Sequence, residues 1–283
     1  MDESEQCAQG SWAGALGQSW AARVEAMHRQ LAPMAEIGLA ALAPQPGERV
    51  LDLGSGGGET SRMIAEAVGP GGRVTGIDIS PELVEIARAA GAGLPQLSFV
   101  LADAGAHDFG ETRFDALFSR FGCMFFDEAE AAFANLHTAL SPGARAVFVV
   151  YTDIAENPWA AVPAQAAEAV LGPAPPRKRG AAGPFGWSDP DFFAPILKAG
   201  GFADIAWEPR ALSVEVGYGD DPDPAVRAAA LMLRIGTVAR RLQDAPEGAE
   251  AALAPVLAEA ARPYVSDGAV RLGARVWVVT ARA

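Results

Sequence analysis

Val50-Leu51-Asp52-Leu53-Gly54-Ser55-Gly56-Gly57-Gly58 decides how this chain is read. An apolar run stops at a carboxylate and a cluster of glycines, and a helical pattern follows from Glu59. This is the order of a strand, a tight turn and a helix N-terminus. Glycines suit the turn because the backbone there takes positive φ and leaves room for a ligand against the main chain. Beyond it a second apolar run, Val74-Thr75-Gly76-Ile77-Asp78, again ends in a carboxylate. A glycine-rich turn followed about twenty residues later by an acidic strand end is how a doubly wound sheet holds a nucleoside.

The glycine spacing separates two kinds of nucleoside. A dinucleotide turn reads G-x-G-x-x-G/A, its last small residue letting helix and strand pack closely. Aligned on Gly54 and Gly56, that position is Glu59, and a carboxylate at a helix N-terminus repels a pyrophosphate. A cofactor without phosphates meets no such obstacle. The stretch 50–58 resembles the first motif of class I S-adenosylmethionine (SAM) methyltransferases, and the chain is similar to their small-molecule enzymes of the ubiquinone and menaquinone biosynthesis type. The resemblance is strong over 46–152, softer over 184–208, and weak at the N-terminus and over 210–272. It implies an α/β fold: a doubly wound, mostly parallel seven-stranded sheet with helices on both faces, its last strand antiparallel beside the sixth. It also implies S-adenosyl-L-methionine as cofactor.

The same resemblance assigns residues. Gly54, Ser55 and Gly56 approach the methionine portion of SAM through backbone atoms, and Asp52 faces its ammonium group. Asp78 accepts the ribose hydroxyls, a carboxylate having two oxygens for a vicinal diol. Ile79 flanks the adenine, Asp103 receives its amino group, and Ala104 backs it. Ser119 and Arg120, with Phe121, line the floor under the sulfonium. Each has a structural alternative: Asp52, Asp78 and Asp103 as strand-end or turn carboxylates, and Arg120 as partner of Asp115 or Glu111. Phe121, Met124, Phe125 and Phe126 are either acceptor contacts or core.

Along the chain, residues 1–10 read as disordered and Trp12 to Ala43 as two helices broken at Pro33. Strands follow at Arg49–Leu53, Arg73–Asp78, Leu97–Leu101, Phe114–Ser119 and Ala146–Tyr151, alternating with helices at Glu59–Val68, from Ser80-Pro81-Glu82 to near Gly91, and at Asp127–Leu140. Such alternation predicts a parallel sheet. Residues 172–186 read as a loop, a short helix runs from Asp189 to Gly200, and strands are expected over Phe202–Pro209 and Arg275–Ala281. Between them, about 222–262 is an alanine-rich helical insertion read as a lid or dimer element. The organisation expected is an N-terminal helical cap (1–45), a cofactor-binding core (46–152) and a C-terminal part of the same domain (153–283) carrying the acceptor pocket.

The chain has 283 residues, half of them hydrophobic, and 22 Lys plus Arg against 35 Asp plus Glu, a formal charge of −13. That field repels nucleic acid. The one dense basic run, Arg177-Lys178-Arg179, sits among prolines and glycines and reads as a solvated loop. Two cysteines, Cys7 and Cys123, form neither a disulfide framework nor a metal cluster. No apolar run approaches the roughly 20 residues of a membrane span, and the acidic start is unlike a signal peptide. The expectation is a cytoplasmic protein with a small-molecule acceptor, no metal, no nucleic acid, and a homodimer left open.

Methyl transfer from a sulfonium is an in-line displacement in which the protein chiefly positions the nucleophile and excludes water. A base is needed only where the nucleophile must lose a proton. His28, on the N-terminal helical region, and Tyr151, at the end of the fifth strand, are the candidates. Trp20, Phe121, Met124 and Asp153 are the candidate acceptor contacts, and Trp12 and Trp159 candidate pocket walls. Together these suggest an apolar or aromatic acceptor. A SAM-binding regulatory or partner protein without turnover is the alternative, and a nicotinamide oxidoreductase, against which Glu59 argues, comes third.

Overall fold

The computed structural model describes residues 8–176 and 180–283. Cys7, the Arg177-Lys178-Arg179 run and most of the segment read as disordered lie outside them; Ala8 begins a helix. The elements run α1 (Ala8–Trp12), α2 (Ala15–Ala21), α3 (Val24–Leu42), β1 (Arg49–Leu53), α4 (Glu59–Val68), β2 (Arg73–Asp78), α5 (Pro81–Gly91), β3 (Leu97–Leu101), β4 (Phe114–Arg120), α6 (Ala129–Thr138) and β5 (Leu140–Tyr151). Then come α7 (Pro158–Leu171), α8 (Pro190–Ala199), β6 (Ala203–Val216), α9 (Pro224–Met232), α10 (Gly236–Leu242), α11 (Ala249–Ala261), β7 (Val265–Ser266) and β8 (Ala269–Arg282).

One sheet runs in the order β3-β2-β1-β4-β5-β8-β6, with β7 a short hairpin partner of β8. Pairings from β3 to β5 are parallel, and β8 lies antiparallel between β5 and β6. This is the doubly wound order with an inserted antiparallel last strand; β7 is the addition to the expected seven. Because the strands β1 to β5 are parallel, the loops that follow them gather at one end of the sheet. Strand order reverses between β1 and β4, and a ligand crevice of an open α/β sheet lies at that switch point.

Two expectations about helices need correction. The N-terminal region forms three helices rather than two, with breaks at Gly14 and Ala22-Arg23, and Pro33 sits inside α3. A proline there removes one backbone hydrogen bond. Burial outweighs it: Met27, Leu31, Met34, Ala35 and Leu42 are all at most 5% exposed. Gly38 lets this helix lie close on the sheet, since an added Cβ would stand 2.6 Å from Val149 Cγ2 and 2.9 Å from Phe118 Cε2. Helix α6 is also shorter than Asp127–Leu140, because Leu140 already pairs with Phe114 in the sheet.

The C-terminal strands are longer than their apolar patterns suggest. β6 runs on past Pro209, which pairs with Trp277 of β8, to Val216, which pairs with Val270. It is the last strand of the sheet, so its outer side needs no apolar alternation, and an edge is where proline is tolerated. α7 was not expected at all; its run of alanines and Pro163 hide the period of its buried face, Ala160, Pro163 and Ala167.

Candidate functional site

Gly54, Gly56 and Gly58 take φ of 69°, 52° and 80°, a left-handed region that other residues enter at a cost. Gly54 N–H and Ser55 N–H both donate to Ile77 O, at 2.9 and 3.1 Å, tying the turn to the end of β2. Gly54 is pressed against Gly122 in the loop after β4, where a Cβ would lie 2.6 Å from Gly122 Cα. At Gly56 nothing lies within 4 Å of the Cβ position. The turn is therefore packed behind and open in front.

Asp78 leans into this turn. Its Oδ2 accepts from Gly56 N–H at 2.8 Å and its Oδ1 from Ser80 N–H at 2.9 Å. Burial pushes its carboxyl above the ordinary value, the backbone donors working against that. A carboxylate has about four lone-pair sites, so acceptor capacity is left for a diol. Ser55 is 4% exposed, and its Oγ has no hydrogen-bond partner among the described residues. A buried hydroxyl facing a glycine turn without a partner is where a polar ligand is to be sought.

The other expected residues divide. Ile79 is half-buried after Asp78, Asp103 accepts Gly105 N–H at 2.8 Å, and Ala104 is 5% exposed. All three follow β2 and β3 at the same end of the sheet as the glycine turn. Asp52, expected to face an ammonium group, points instead to the start of α4: its Oδ2 accepts Thr60 Oγ1–H at 2.7 Å and Ser61 Oγ–H at 2.5 Å. It is 1% exposed. Ser119 likewise serves the framework, its hydroxyl donating to Leu53 O at 3.0 Å and accepting Cys123 N–H at 3.2 Å. Arg120 pairs with neither Asp115 nor Glu111 but with Glu59, 2.7 Å away, and also donates to Leu31 O. Glu59, which argues against a pyrophosphate, thus has its charge met by a neighbour.

His28 comes up against the glycine turn from α3, its Nε2 3.1 Å from the Cβ position at Gly57. Burial lowers its pKa, with Arg120 and Arg62 adding to that effect and Glu59 and Glu25 opposing it. A neutral imidazole at neutral pH is the form that accepts a proton. Tyr151 does not suit the role of base: burial drives its phenol upward, and its ring is stacked on Phe121 at 4.1 Å. Phe121 itself holds φ of 68° at the end of β4; a bulky residue in that region stores strain, which concentrates at functional sites.

Of the acceptor candidates, Phe121 joins an aromatic series: Tyr151 continues to Trp159 at 4.9 Å and to Phe185 at 5.5 Å. Met124 is 1% exposed in the core. Trp20 packs edge-on against Trp12, which also meets Phe125. Asp153 is exposed and caps a 3-10 turn through Ala155 N–H, so it does not face an acceptor. No group of three or more metal-type ligands occurs among the described residues. No helix among them is long and apolar enough to cross a membrane.

Residues 50–143 match a family model described as "Methyltransferase domain". An aklanonic acid methyltransferase from Streptomyces sp. (strain C5) is 38% identical over 107 residues, which cover 37% of this chain and 49% of that protein. A demethylmenaquinone methyltransferase from Thermus thermophilus is 38% identical over 106 residues, covering 37% and 47%. The chain thus matches about half the length of these relatives. Among solved structures, the YcgJ protein from Bacillus subtilis shares the fold at a TM-score of 0.54 and 15% identity, covering 90% of this chain and 98% of that one.

Proposed function

We propose that this chain, whose residues 50–143 match a methyltransferase domain and resemble those of the methyltransferases above, transfers a methyl group from SAM to a small, neutral, largely apolar acceptor. The observation that carries the reading is the open glycine turn with the Asp78 carboxylate and the partnerless Ser55 hydroxyl beside it. Those groups fit a phosphate-free nucleoside: hydrogen-bond acceptors for hydroxyls, a bare backbone for close approach, and no cationic cradle for phosphate. SAM supplies a methyl group already activated on sulfur.

The chain's own residues hold and align. Asp78 accepts the ribose hydroxyls, Ile79 and Ala104 border the adenine, and Asp103 accepts its amino group. Gly54, Ser55 and Gly56 meet the methionine end, and the Arg120–Glu59 pair borders it. Phe121 and the rings behind it exclude water. His28, held neutral, takes a proton where the acceptor must lose one. Residues 1–45 act as a cap, 46–152 as the cofactor-binding core, and 153–283 as the acceptor side. A charge of −13 disfavours nucleic acid as substrate.

The test is calorimetric titration with S-adenosylhomocysteine beside NADH. Micromolar binding of the first with no heat from the second, lost in Asp78→Ala, supports the reading. NADH binding without S-adenosylhomocysteine binding sinks it. Turnover of labelled SAM with any acceptor separates an enzyme from a SAM-binding partner protein.

A further inference from the structure

Gly17 of α2 is buried against Ser80, at the start of α5, so closely that an added Cβ would stand 2.5 Å from Ser80 Oγ and collide with Trp12 O. Gln18 fastens the same helix from outside, its Nε2 donating to Glu82 Oε1 at 3.1 Å. Ser80 is the residue whose N–H holds Asp78 Oδ1. On the other side Trp12 meets Phe125, their ring centroids 5.1 Å apart, in the short turn that begins at Gly122 and packs on Gly54. The sheet order β2-β1-β4 sets the glycine turn between these two supports, so α1 and α2 bridge it. Trp12 brings a polar atom to this bridge. Its ring is held edge-on by Trp20 and Phe125, and its Nε1 is shut off from solvent without a hydrogen-bond partner among the described residues. A buried indole N–H ordinarily finds an acceptor, and one left without bears the full cost of losing its water.

We propose that Trp12 is a cofactor-binding residue, its indole N–H donating to the nucleoside part of the ligand held over the glycine turn. The proposal rests on the methyl-transfer reading and adds to that site a contact from α1. Complementarity argues for a nucleoside. The side chains on the sheet side of the site, Asp78 and Asp103, are carboxylates, which take hydroxyl and amino protons and donate none. A nucleoside also presents acceptors, the ring nitrogens of its base and the oxygens of its ribose, and these need donors. Indole is a donor only. Position argues for the nucleoside over the methionine end. Trp12 O and Ser80 Oγ crowd the same Cβ position at Gly17, which sets the Trp12 backbone beside the Ile79-Ser80 step that follows Asp78.

Trp12→Phe keeps a ring between Trp20 and Phe125 and removes the N–H. Calorimetric titration of the full chain with S-adenosylhomocysteine and with adenosine should show both weakened by about 2- to 12-fold, the worth of one hydrogen bond. The ligand-free melting temperature should stay level or rise, because an unsatisfied buried donor has been taken away. A residue needed only for packing gives the opposite pair, a lower melting temperature with unchanged affinity, and that result overturns the proposal. Gly17→Ala, which pushes α2 off Ser80, should weaken both ligands although alanine is the better helix former; native affinity in that variant overturns the proposal as well. A loss confined to S-adenosylhomocysteine places the donor at the methionine end and overturns the nucleoside assignment. If S-adenosylhomocysteine binds the native chain and Trp12→Phe equally, Trp12 is removed and the methyl-transfer reading stands. If adenosine alone binds, and more weakly in Trp12→Phe, the methyl-transfer reading falls and the Trp12 contact stands.

Discussion

At the scale of single residues, Asp78 and His28 both work in their proton-free forms, while burial moves their pKa values in opposite directions. Asp78 works as an acceptor, so its contribution needs the carboxylate. Burial raises its pKa, and affinity for S-adenosylhomocysteine should therefore be full at neutral pH and fall on acidification, beginning above the ordinary carboxylate range. Asp78→Asn should lower affinity by roughly 10- to 150-fold, the loss of about 1.5–3 kcal/mol for hydrogen bonds to a charged group, and should flatten the pH dependence. Titrations at several pH values check both; a flat profile in the native protein removes Asp78 from the site. His28 has its pKa lowered from the ordinary 6.5, chiefly by burial. The unfolded chain then takes up this proton at a higher pH than the folded one. Its stabilising contribution is present above 6.5 and is lost as pH falls through the folded value. Urea unfolding at about pH 7.5 and 5.5 should show a smaller loss on acidification in His28→Gln than in the native chain. The double difference matters, since the raised pKa values of buried Asp52 and Asp78 act in the opposite direction as pH falls.

At the scale of elements, what could be read ahead of the structure follows from how each element is buried. Strands β1 and β4 lie inside a parallel sheet and show as largely apolar runs interrupted by Asp52 and Asp115, so their bounds were legible to within a residue. That Asp78 ends β2 beside the glycine turn was legible too, from its place after the second apolar run. Asp52 was not: whether a buried carboxylate turns toward a ligand or toward the hydroxyls of Thr60 and Ser61 depends on the first turn of α4, which the pattern does not encode. Helix α3 shows the same limit. Its proline spoke for a break, whereas its contact with the sheet, made close by Gly38, decides for continuity. Gly38→Val should destabilise the protein by about 1–3 kcal/mol through overpacking, outweighing the few tenths that helix propensity returns. Thermal melts check it; a variant that melts with the native protein means α3 sits less closely than its contacts with Val149 and Phe118 require.

At the scale of the whole molecule, the question is whether cap, core and acceptor side are separate folding units. Their apolar residues argue that they are not. Among the described residues, one continuous cluster runs from Met27 in α3 through β1, β4 and β5 to Leu257 in α11 and Ala281 in β8, with Val84, Ala87 and Phe99 forming a cluster apart. Removing the cap or the C-terminal helices would uncover the same core, so neither is expected to melt alone. Far-ultraviolet and near-ultraviolet dichroism should then give coincident transitions, the second reporting on tryptophans spread from α1 to β8. Cys123 supplies an independent probe: it is fully buried, and burial pushes its thiol up to about 12, so alkylation at this peptide should follow global unfolding. A ligand that binds only the folded state adds RT ln(1 + [L]/Kd), about 2.7 kcal/mol at a hundredfold excess over Kd. With one cooperative unit, S-adenosylhomocysteine must move all three signals together by the same amount. Were the cap a separate unit that closes over the cofactor, an early transition would appear without ligand and merge with the main one when ligand is added, and Cys123, in the turn after β4, would be protected past the first step.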